Sequence, residues 1–229
     1  GGLGVPAEQK RIVEAYVGEY ASGKSENAVT RALALRRAGH QVTLVDLDMV
    51  EPCYCLRPLK KSLEAQGLTV LTWQTEDTFG LGEAGQTLLP QARWALRRSG
   101  DIIFDVGYGV DGLSTLNLVE ELEKEATLQI VLVVNTRRPI TGSVELVREY
   151  IAELGQVDAL LSNSHLAAET SPEVVDQGAL ITAQVGDELR LPLMGISVMR
   201  SFLRRYPDYQ PPVAAPLLPL EPWLSGAFW

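Results

Sequence analysis

The sequence predicts a three-layer α/β fold, in which a doubly wound and mostly parallel sheet carries a phosphate-binding loop between strand 1 and helix 1. Three observations predict it. Short aliphatic runs alternate with amphipathic stretches. These runs are unbroken, as is typical of strands that are covered on both faces. A glycine-rich motif at residues 18–25 separates the first aliphatic run from the first amphipathic stretch.

The first half of the chain begins with this strand, loop and helix pattern. Residues 11–17 form the first predicted strand, and residues 25–37 the first helix, which Gly39 ends. Residues 41–48 and 67–73 are the next predicted strands. Because parallel strands of such a sheet present ligands at their carboxyl ends, the loops that follow these strands are the places to look for a site.

The second half repeats the alternation after a glycine-rich, ambiguous segment at residues 76–90. The predicted strands are residues 101–105, 128–134, 159–161 and 191–197, and the predicted helices are residues 91–98, residues 143–154 and a helix that starts near Pro172. A single nucleotide-binding domain would then span residues 10–205. Residues 1–9 are expected to be disordered, or a processed or vector-derived end. Residues 206–229 hold six of the 13 prolines, which predicts an extended tail that needs a surface to lie on.

Composition excludes several classes of protein. Of the 229 residues, 46% are hydrophobic and 21% are charged, which excludes disorder, collagen and coiled coil. The net charge of -9 argues against generic binding to nucleic acid. No apolar run reaches the roughly 18 residues of a transmembrane segment. Two cysteines are too few for a disulfide framework, so a cytoplasmic location is expected.

Residues 18–25 match the phosphate-loop pattern G-x-x-x-x-G-K-[ST] between a strand and a helix. A chance glycine-rich turn is the alternative, which the flanking strand and helix disfavour. Backbone N–H groups would hold the phosphates, Lys24 would reach the β and γ oxygens, and the hydroxyl of Ser25 would hold Mg²⁺. The predicted nucleotide-binding residues are Gly18, Glu19, Tyr20, Ala21, Ser22, Gly23, Lys24, Ser25 and Glu26.

Acidic residues end two of the predicted strands. Asp105 would hold Mg²⁺ directly or through water, although a turn or capping role is the alternative. Asp46 and Asp48 lie on one side of their strand by two-residue alternation. Asp48 extends further into the loop, so it is favoured as the acid that orients a water or contacts Mg²⁺ indirectly, with a plain turn role open for either residue.

On these motifs the chain resembles the MinD/ParA class of P-loop NTPases, over about residues 11–198. Relatives of that class include the cobyrinic acid diamide synthase, dethiobiotin synthetase and nickel-insertion ATPase families. Besides the phosphate loop, the resemblance rests on residues 45–48 with Glu51-Pro52 as a first switch, on residues 103–109 as a second switch, and on residues 161–163 with Leu191-Pro192 as the end that recognises the base.

The resemblance implies ATP or ADP with Mg²⁺ as cofactors. It implies that Lys24 and Asp48 are catalytic, with Asp48 near the attacking water, and that Asp105 is the acid linked to the metal. Gly109 would sense the γ-phosphate. Asn163 would recognise adenine, for which its amide offers both a donor and an acceptor; a turn asparagine is the alternative.

One residue departs from the pattern. ATPases of this class that pair two subunits over ATP usually carry a lysine directly after the first glycine of the loop, where this chain has Glu19. A carboxylate would repel the phosphates of a partner subunit. The usual dimer with a lysine across the interface is therefore in doubt, while a homodimer formed by other means stays open.

Several other residues carry weaker signals. Cys53 and Cys55 lie just beyond the first switch; two buried hydrophobes are favoured over a soft metal site, which would need a second chain to complete it. His40 and His165 have no ligand-spaced partner and are interpreted as structural or surface residues. Arg137 and Arg138 are interpreted as a solvated pair, with a transition-state arginine or a substrate anchor as the alternatives.

The sequence thus predicts a slow, Mg²⁺-dependent switch ATPase that acts on an unknown protein partner. An ATP-dependent ligase or transferase of the dethiobiotin or cobyrinic acid type is the first alternative. A metallochaperone that uses Cys53 and Cys55 is the second. No Asn-Lys-x-Asp guanine signature is present and Asn163 suggests adenine, with GTP as the open alternative to ATP.

Overall fold

The structure, a computed structural model, describes residues 10–48, 56–72, 74–75, 86–87, 90–165 and 169–221. Its strands are β1 (Val13–Val17), β2 (Val42–Asp46), β3 (Thr69–Leu71), β4 (Gln74–Thr75), β5 (Gln86–Thr87), β6 (Asp101–Asp105), β7 (Leu128–Val134), β8 (Ala159–Ser162), β9 (Leu193–Met199) and β10 (Leu217–Leu220). Its α-helices are α1 (Lys24–Arg37), α2 (Lys60–Ala65), α3 (Pro90–Arg93), α4 (Gly109–Ser114), α5 (Val144–Leu154), α6 (Pro172–Leu189) and α7 (Arg200–Arg205).

Eight strands form one parallel sheet in the order β10-β9-β8-β7-β1-β6-β2-β3, and β4 pairs with β5 as a short antiparallel ladder. β1 is central, with β6 on one side and β7 on the other. The chain builds one half of the sheet outward to β3, returns through β6, and builds the other half from β7 outward. This arrangement confirms the predicted doubly wound α/β fold and creates a ligand-binding crevice at the carboxyl end of β1.

Both faces of the sheet are buried, which explains the unbroken apolar runs. Val13, Ala15 and Val17 of β1 pack on the face that α5 covers through Val147. Tyr16 packs on the opposite face, in the cluster that includes alanines and leucines of α1. Alternate residues of a strand point to opposite faces, so a central strand covered twice must be apolar at almost every position.

The proline-rich segment supplies an edge strand. β10 pairs in parallel with β9, with Leu217 opposite Ile196 and Leu220 opposite Met199. The sequence indicated an extended segment that needs a surface, and no strand was predicted there. Pro219 lacks an N–H group, and an edge strand tolerates this because one of its sides makes no ladder hydrogen bonds. Within the described part of the chain, no helix is long and apolar enough to cross a membrane.

Candidate nucleotide-binding site

The loop between β1 and α1 has a backbone that only particular residues can adopt. A Cβ atom on Gly18 would lie 2.3 Å from Ser22 Oγ and 3.0 Å from the carbonyl oxygen of Val133, so this position requires glycine. Gly23 has φ of 89° and Ala21 has φ of 55°, both left-handed. No side chain caps α1 at Gly23. The loop and the helix N-terminus therefore present backbone N–H groups of the kind that bind phosphates.

Four predicted residues converge where β1, β2 and β6 end. Lys24 Nζ lies 3.1 Å from Asp105 Oδ1 and 3.3 Å from Asp48 Oδ2. The hydroxyl of Ser25 donates to Asp105 Oδ2 at 2.7 Å. All four side chains are buried, with Lys24 the most exposed at 7%. Side chains that are far apart in sequence thus form one polar cluster in a dry pocket.

Charge in this cluster is unbalanced. Burial raises the pKa of Asp105, as does Asp48, while Lys24 opposes the rise. Burial lowers the pKa of Lys24, but Asp105 and Asp48 together raise it above its usual value. Burial and then Asp105 raise the pKa of Asp46. Three carboxyl groups around one ammonium group favour an additional cation at this site.

The oxygen atoms present fit Mg²⁺. The Ser25 hydroxyl and the Asp105 carboxylate are hard ligands, side by side at the mouth of the loop. Across the residues that the structure covers, no cluster of three His, Cys, Asp or Glu side chains could hold a metal ion alone. Mg²⁺ usually takes one or two protein ligands and completes its octahedron with phosphate oxygens and water, so this donor set suits a metal that arrives with a nucleotide.

The two acids of the second strand have different surroundings. Asp46 Oδ1 accepts from the Asp48 N–H at 2.9 Å, and Asp46 Oδ2 accepts from the Leu56 N–H at 3.0 Å. Asp46 therefore shapes the backbone after β2, while the Asp48 side chain contacts Lys24. The geometry agrees with the sequence-based preference for Asp48 over Asp46 as the residue that faces the phosphate loop.

Polar side chains hold the carbonyl groups of the loop. Asn163 Nδ2 donates to the Ser22 carbonyl oxygen at 2.8 Å, and Asn27 Nδ2 donates to that of Gly23 at 2.7 Å. Ser197 Oγ in turn donates to Asn27 Oδ1 at 2.5 Å. Sequence reasoning did not single out Asn27 or Ser197. A polar residue in the apolar run of β9 was the signal that could have identified Ser197.

A cleft of about 240 Å³ begins beside Asn163, between the loop after β8 and the start of α7. Its walls include His165, Val198 and Phe202. His165 is buried, and burial followed by Arg138 lowers its pKa to about 4, so the imidazole is neutral at physiological pH. The cleft offers an apolar wall and amide groups, which suit a planar base.

The loop after β7 contacts the phosphate loop from the other side. Thr141 Oγ1 donates to Glu19 Oε2 at 3.0 Å, and Arg138 Nε donates to the Ala21 carbonyl oxygen at 3.2 Å. The interpretation of Arg138 as a solvated residue therefore missed a direct contact with the loop. Arg137, by contrast, is exposed and donates to Gln177 Oε1 at 2.9 Å. The Glu19 carboxylate is therefore hydrogen-bonded to a residue of its own chain.

Gly109 brings the second predicted switch onto the phosphate loop. Its N–H donates to the Gly18 carbonyl oxygen at 3.2 Å, and its φ is 69°. The neighbouring Tyr108 ring meets the Tyr20 ring edge to face, with centroids 6.0 Å apart. Beside them lies a second cleft of about 370 Å³, whose lining includes Glu19, Ile140 and Tyr150.

The remaining predicted residues differ in their surroundings. Glu26 is buried in the first turn of α1, and burial followed by Asp105 raises its pKa to about 8. His40 Nδ1 lies 2.5 Å from Asp101 Oδ2, away from the phosphate loop. Cys53 and Cys55, together with Glu51-Pro52 of the first switch, lie outside the described residues.

No protein-family description matches the chain, and no curated protein matches its sequence. Its structure is similar to that of the signal recognition particle receptor FtsY from Elizabethkingia anophelis in complex with GDP, with 15% identity, a TM-score of 0.57, and coverage of 86% of this chain and 60% of that one. It is also similar to the cell division protein FtsY from Thermotoga maritima, with 20% identity, a TM-score of 0.58, and coverage of 84% and 63%.

Chloroplast FtsY from Physcomitrella patens is a further neighbour, with 16% identity, a TM-score of 0.55, and coverage of 83% and 60%. The chain spans about three-fifths of the length of these neighbours. At identities this low, the structural similarity establishes a common fold. The chain has a P-loop NTPase-like α/β fold that matches these FtsY structures.

Proposed function

We propose that this protein is a Mg²⁺-dependent ATP-binding switch of the MinD/ParA type, with slow ATPase activity that is coupled to a partner protein in the cytoplasm. The observation that carries the proposal is the convergence of Lys24, Ser25, Asp48 and Asp105 at the mouth of a phosphate loop. Each supplies the functional group that phosphoryl transfer needs at that place.

Each residue of the site would have a distinct role in nucleotide binding or hydrolysis. Backbone N–H groups from Gly18 to Glu26 would surround the β-phosphate, and Lys24 would leave its carboxylate partners to contact β and γ oxygens. Ser25 and Asp105 would hold Mg²⁺, which neutralises charge on the transferred phosphoryl group. Asp48 would orient the attacking water, since its carboxylate lies beside Lys24 while Asp105 is hydrogen-bonded to Ser25.

Asn163 supports ATP over GTP. Its Nδ2 is used on the Ser22 carbonyl group, so the atom that it can offer a base is the acceptor oxygen Oδ1. Adenine carries an amino donor at the position where guanine carries the acceptor O6. GTP is the competing ligand because one FtsY neighbour is in complex with GDP.

Contacts between the loop and the predicted switches support a conformational output. Asp48 follows β2 and contacts Lys24, and Gly109 follows β6 and contacts Gly18. A γ-phosphate would compete for both contacts, which would move the segments after β2 and β6. Glu19 is hydrogen-bonded to Thr141 in its own chain, which supports output to a different protein over the usual lysine-linked homodimer.

A ligase or transferase is the second candidate. The observation that favours it is the cleft of about 370 Å³ beside Gly109, which is larger than a terminal phosphate needs. Under this alternative a small-molecule acceptor would lie there. The metallochaperone alternative depends on Cys53 and Cys55 and remains a prediction from the sequence.

Hydrogen exchange of the wild type with Mg²⁺ and either AMP-PNP or ADP tests the switch. We expect the triphosphate analogue to change protection around Asp48 and in α4, with turnover of ATP that stays slow without a partner. Asp105→Asn should lose the Mg²⁺ requirement and the difference between the two nucleotides, whereas Asp111→Asn in α4 should retain both. Identical protection with both nucleotides would contradict the switch, and fast turnover on addition of a small acceptor would favour the transferase.

A further inference from the structure

Tyr150 carries a buried hydroxyl group that no hydrogen bond explains. The residue lies on α5 and is 4% exposed. Among the residues that the structure describes, no group accepts a hydrogen bond from its Oη. A buried polar group without a partner costs free energy, and phenylalanine would fill the same space without that cost. The hydroxyl group therefore has a hydrogen bond to offer to a group beyond the described residues, such as a bound ligand.

The position of this hydroxyl is beside the phosphate loop. Tyr150 lines the cleft of about 370 Å³ together with Glu19 of the loop and Gly109 of the second predicted switch. Burial raises the pKa of Tyr150 to about 12, the Gly109 N–H opposes the rise, and the charges of Glu19 and Lys24 also act on it. The phenol is thus protonated at neutral pH and can donate a hydrogen bond beside Gly109 of the second predicted switch.

We infer that Tyr150 distinguishes nucleoside triphosphate from diphosphate by donating a hydrogen bond to an oxygen of the terminal phosphate. The inference deepens the proposed function and rests on it. Gly109 and Glu19 mark where the terminal phosphate would lie, past the β-phosphate that the loop surrounds. An anionic oxygen is the strongest acceptor that a buried phenol can meet, and a diphosphate places none there.

The charges around the Tyr150 hydroxyl group determine which kind of ligand can bind beside it. Glu19 and Glu153 are the carboxylates whose charges act on the Tyr150 hydroxyl group, and Oε2 of Glu19 already accepts from Thr141. Burial raises the pKa of Glu19, which reduces its repulsion of a phosphate. Arg138 lines the same cleft, and the charge of Lys24 also acts on Tyr150. A phosphate oxygen there would therefore meet the Tyr150 hydroxyl group in a place with positive charge nearby.

The test compares nucleotide affinities of Tyr150→Phe by calorimetry with Mg²⁺. We expect affinity for ADP within about twofold of wild type and affinity for AMP-PNP reduced by roughly tenfold or more, as for a lost hydrogen bond to a charged group. Turnover of ATP should fall as well. The melting temperature should stay the same or rise, because phenylalanine leaves no polar group buried.

Tyr16→Phe is the matched control. Tyr16 is also buried, but its Oη lies 3.3 Å from Glu14 Oε1 on the sheet face that α1 covers. The control should leave the ratio of AMP-PNP to ADP affinity unchanged. An unchanged ratio in Tyr150→Phe, or an equal loss for both nucleotides, would overturn the inference while leaving nucleotide binding intact. Failure of the wild type to bind either nucleotide would overturn the proposed function, and this inference with it.

Discussion

Individual residues in the site differ in how far the sequence could predict them. Lys24 and Ser25 belong to a motif of fixed spacing, which depends only on the conformation of one short loop. Both residues lie where the motif requires. Arg138 and Tyr150 act across the fold, because a loop and a helix that are distant in sequence bring them to the phosphate loop. Sequence spacing does not contain such contacts, so reasoning from residue patterns could not find them.

Burial of Glu26 predicts a pH-dependent stability. Its pKa is raised to about 8 in the folded protein, mainly by burial, from a usual value of 4.5. Between these values the unfolded chain loses the proton while the folded chain keeps it, so the free energy of unfolding falls as pH rises through this window. The loss is on the order of a few kcal/mol at most, at roughly 1.4 kcal/mol per pKa unit.

Glu26→Gln should remove this contribution. We expect the variant to match wild type near pH 5 and to be the more stable protein near pH 8.5, as measured by urea unfolding across that range. Glu123→Gln, at an exposed position, should reproduce the wild-type profile. A wild-type advantage that persists above pH 8 would show that the Glu26 carboxylate is stabilised by a cation and not penalised by burial.

Elements with a strong apolar pattern were predicted well, whereas elements without one, such as β10, were missed. The central strands are buried on both faces, so their sequence is constrained at nearly every position. β10 has half-buried residues and a proline, which is the pattern of an extended segment as much as of an edge strand. Tertiary packing against β9 and α7 decides between the two.

Leu220 tests whether β10 contributes to the stability of the fold. This residue is 1% exposed, and Leu220→Ala should lower the free energy of unfolding by roughly 2–5 kcal/mol, as for other buried leucines. The control Leu189→Ala removes a side chain that is 40% exposed and should change it by about 0.5 kcal/mol or less. Equal and small effects in urea unfolding would mean that β10 is not part of the cooperative core.

At the scale of the whole molecule, the sheet order explains why the site is where it is. The order reverses around β1, and the loops after β1, β2, β6, β7 and β8 all meet at that edge. The fold class followed from the sequence because alternation and motif placement agree on it. The preferred base, the partner protein and the conformational output depend on details of these loops. The similarity to FtsY establishes the fold but does not identify the ligand.

Calorimetric titration with ATP, GTP and ADP, each with and without Mg²⁺, tests the central claim most directly. We predict that wild type binds Mg²⁺-ATP in preference to Mg²⁺-GTP, that Lys24→Ala loses binding while it remains folded, and that Lys124→Ala, which removes an exposed lysine, behaves as wild type. Preference for GTP would contradict the role assigned to Asn163. Binding that survives in Lys24→Ala would contradict the nucleotide site itself.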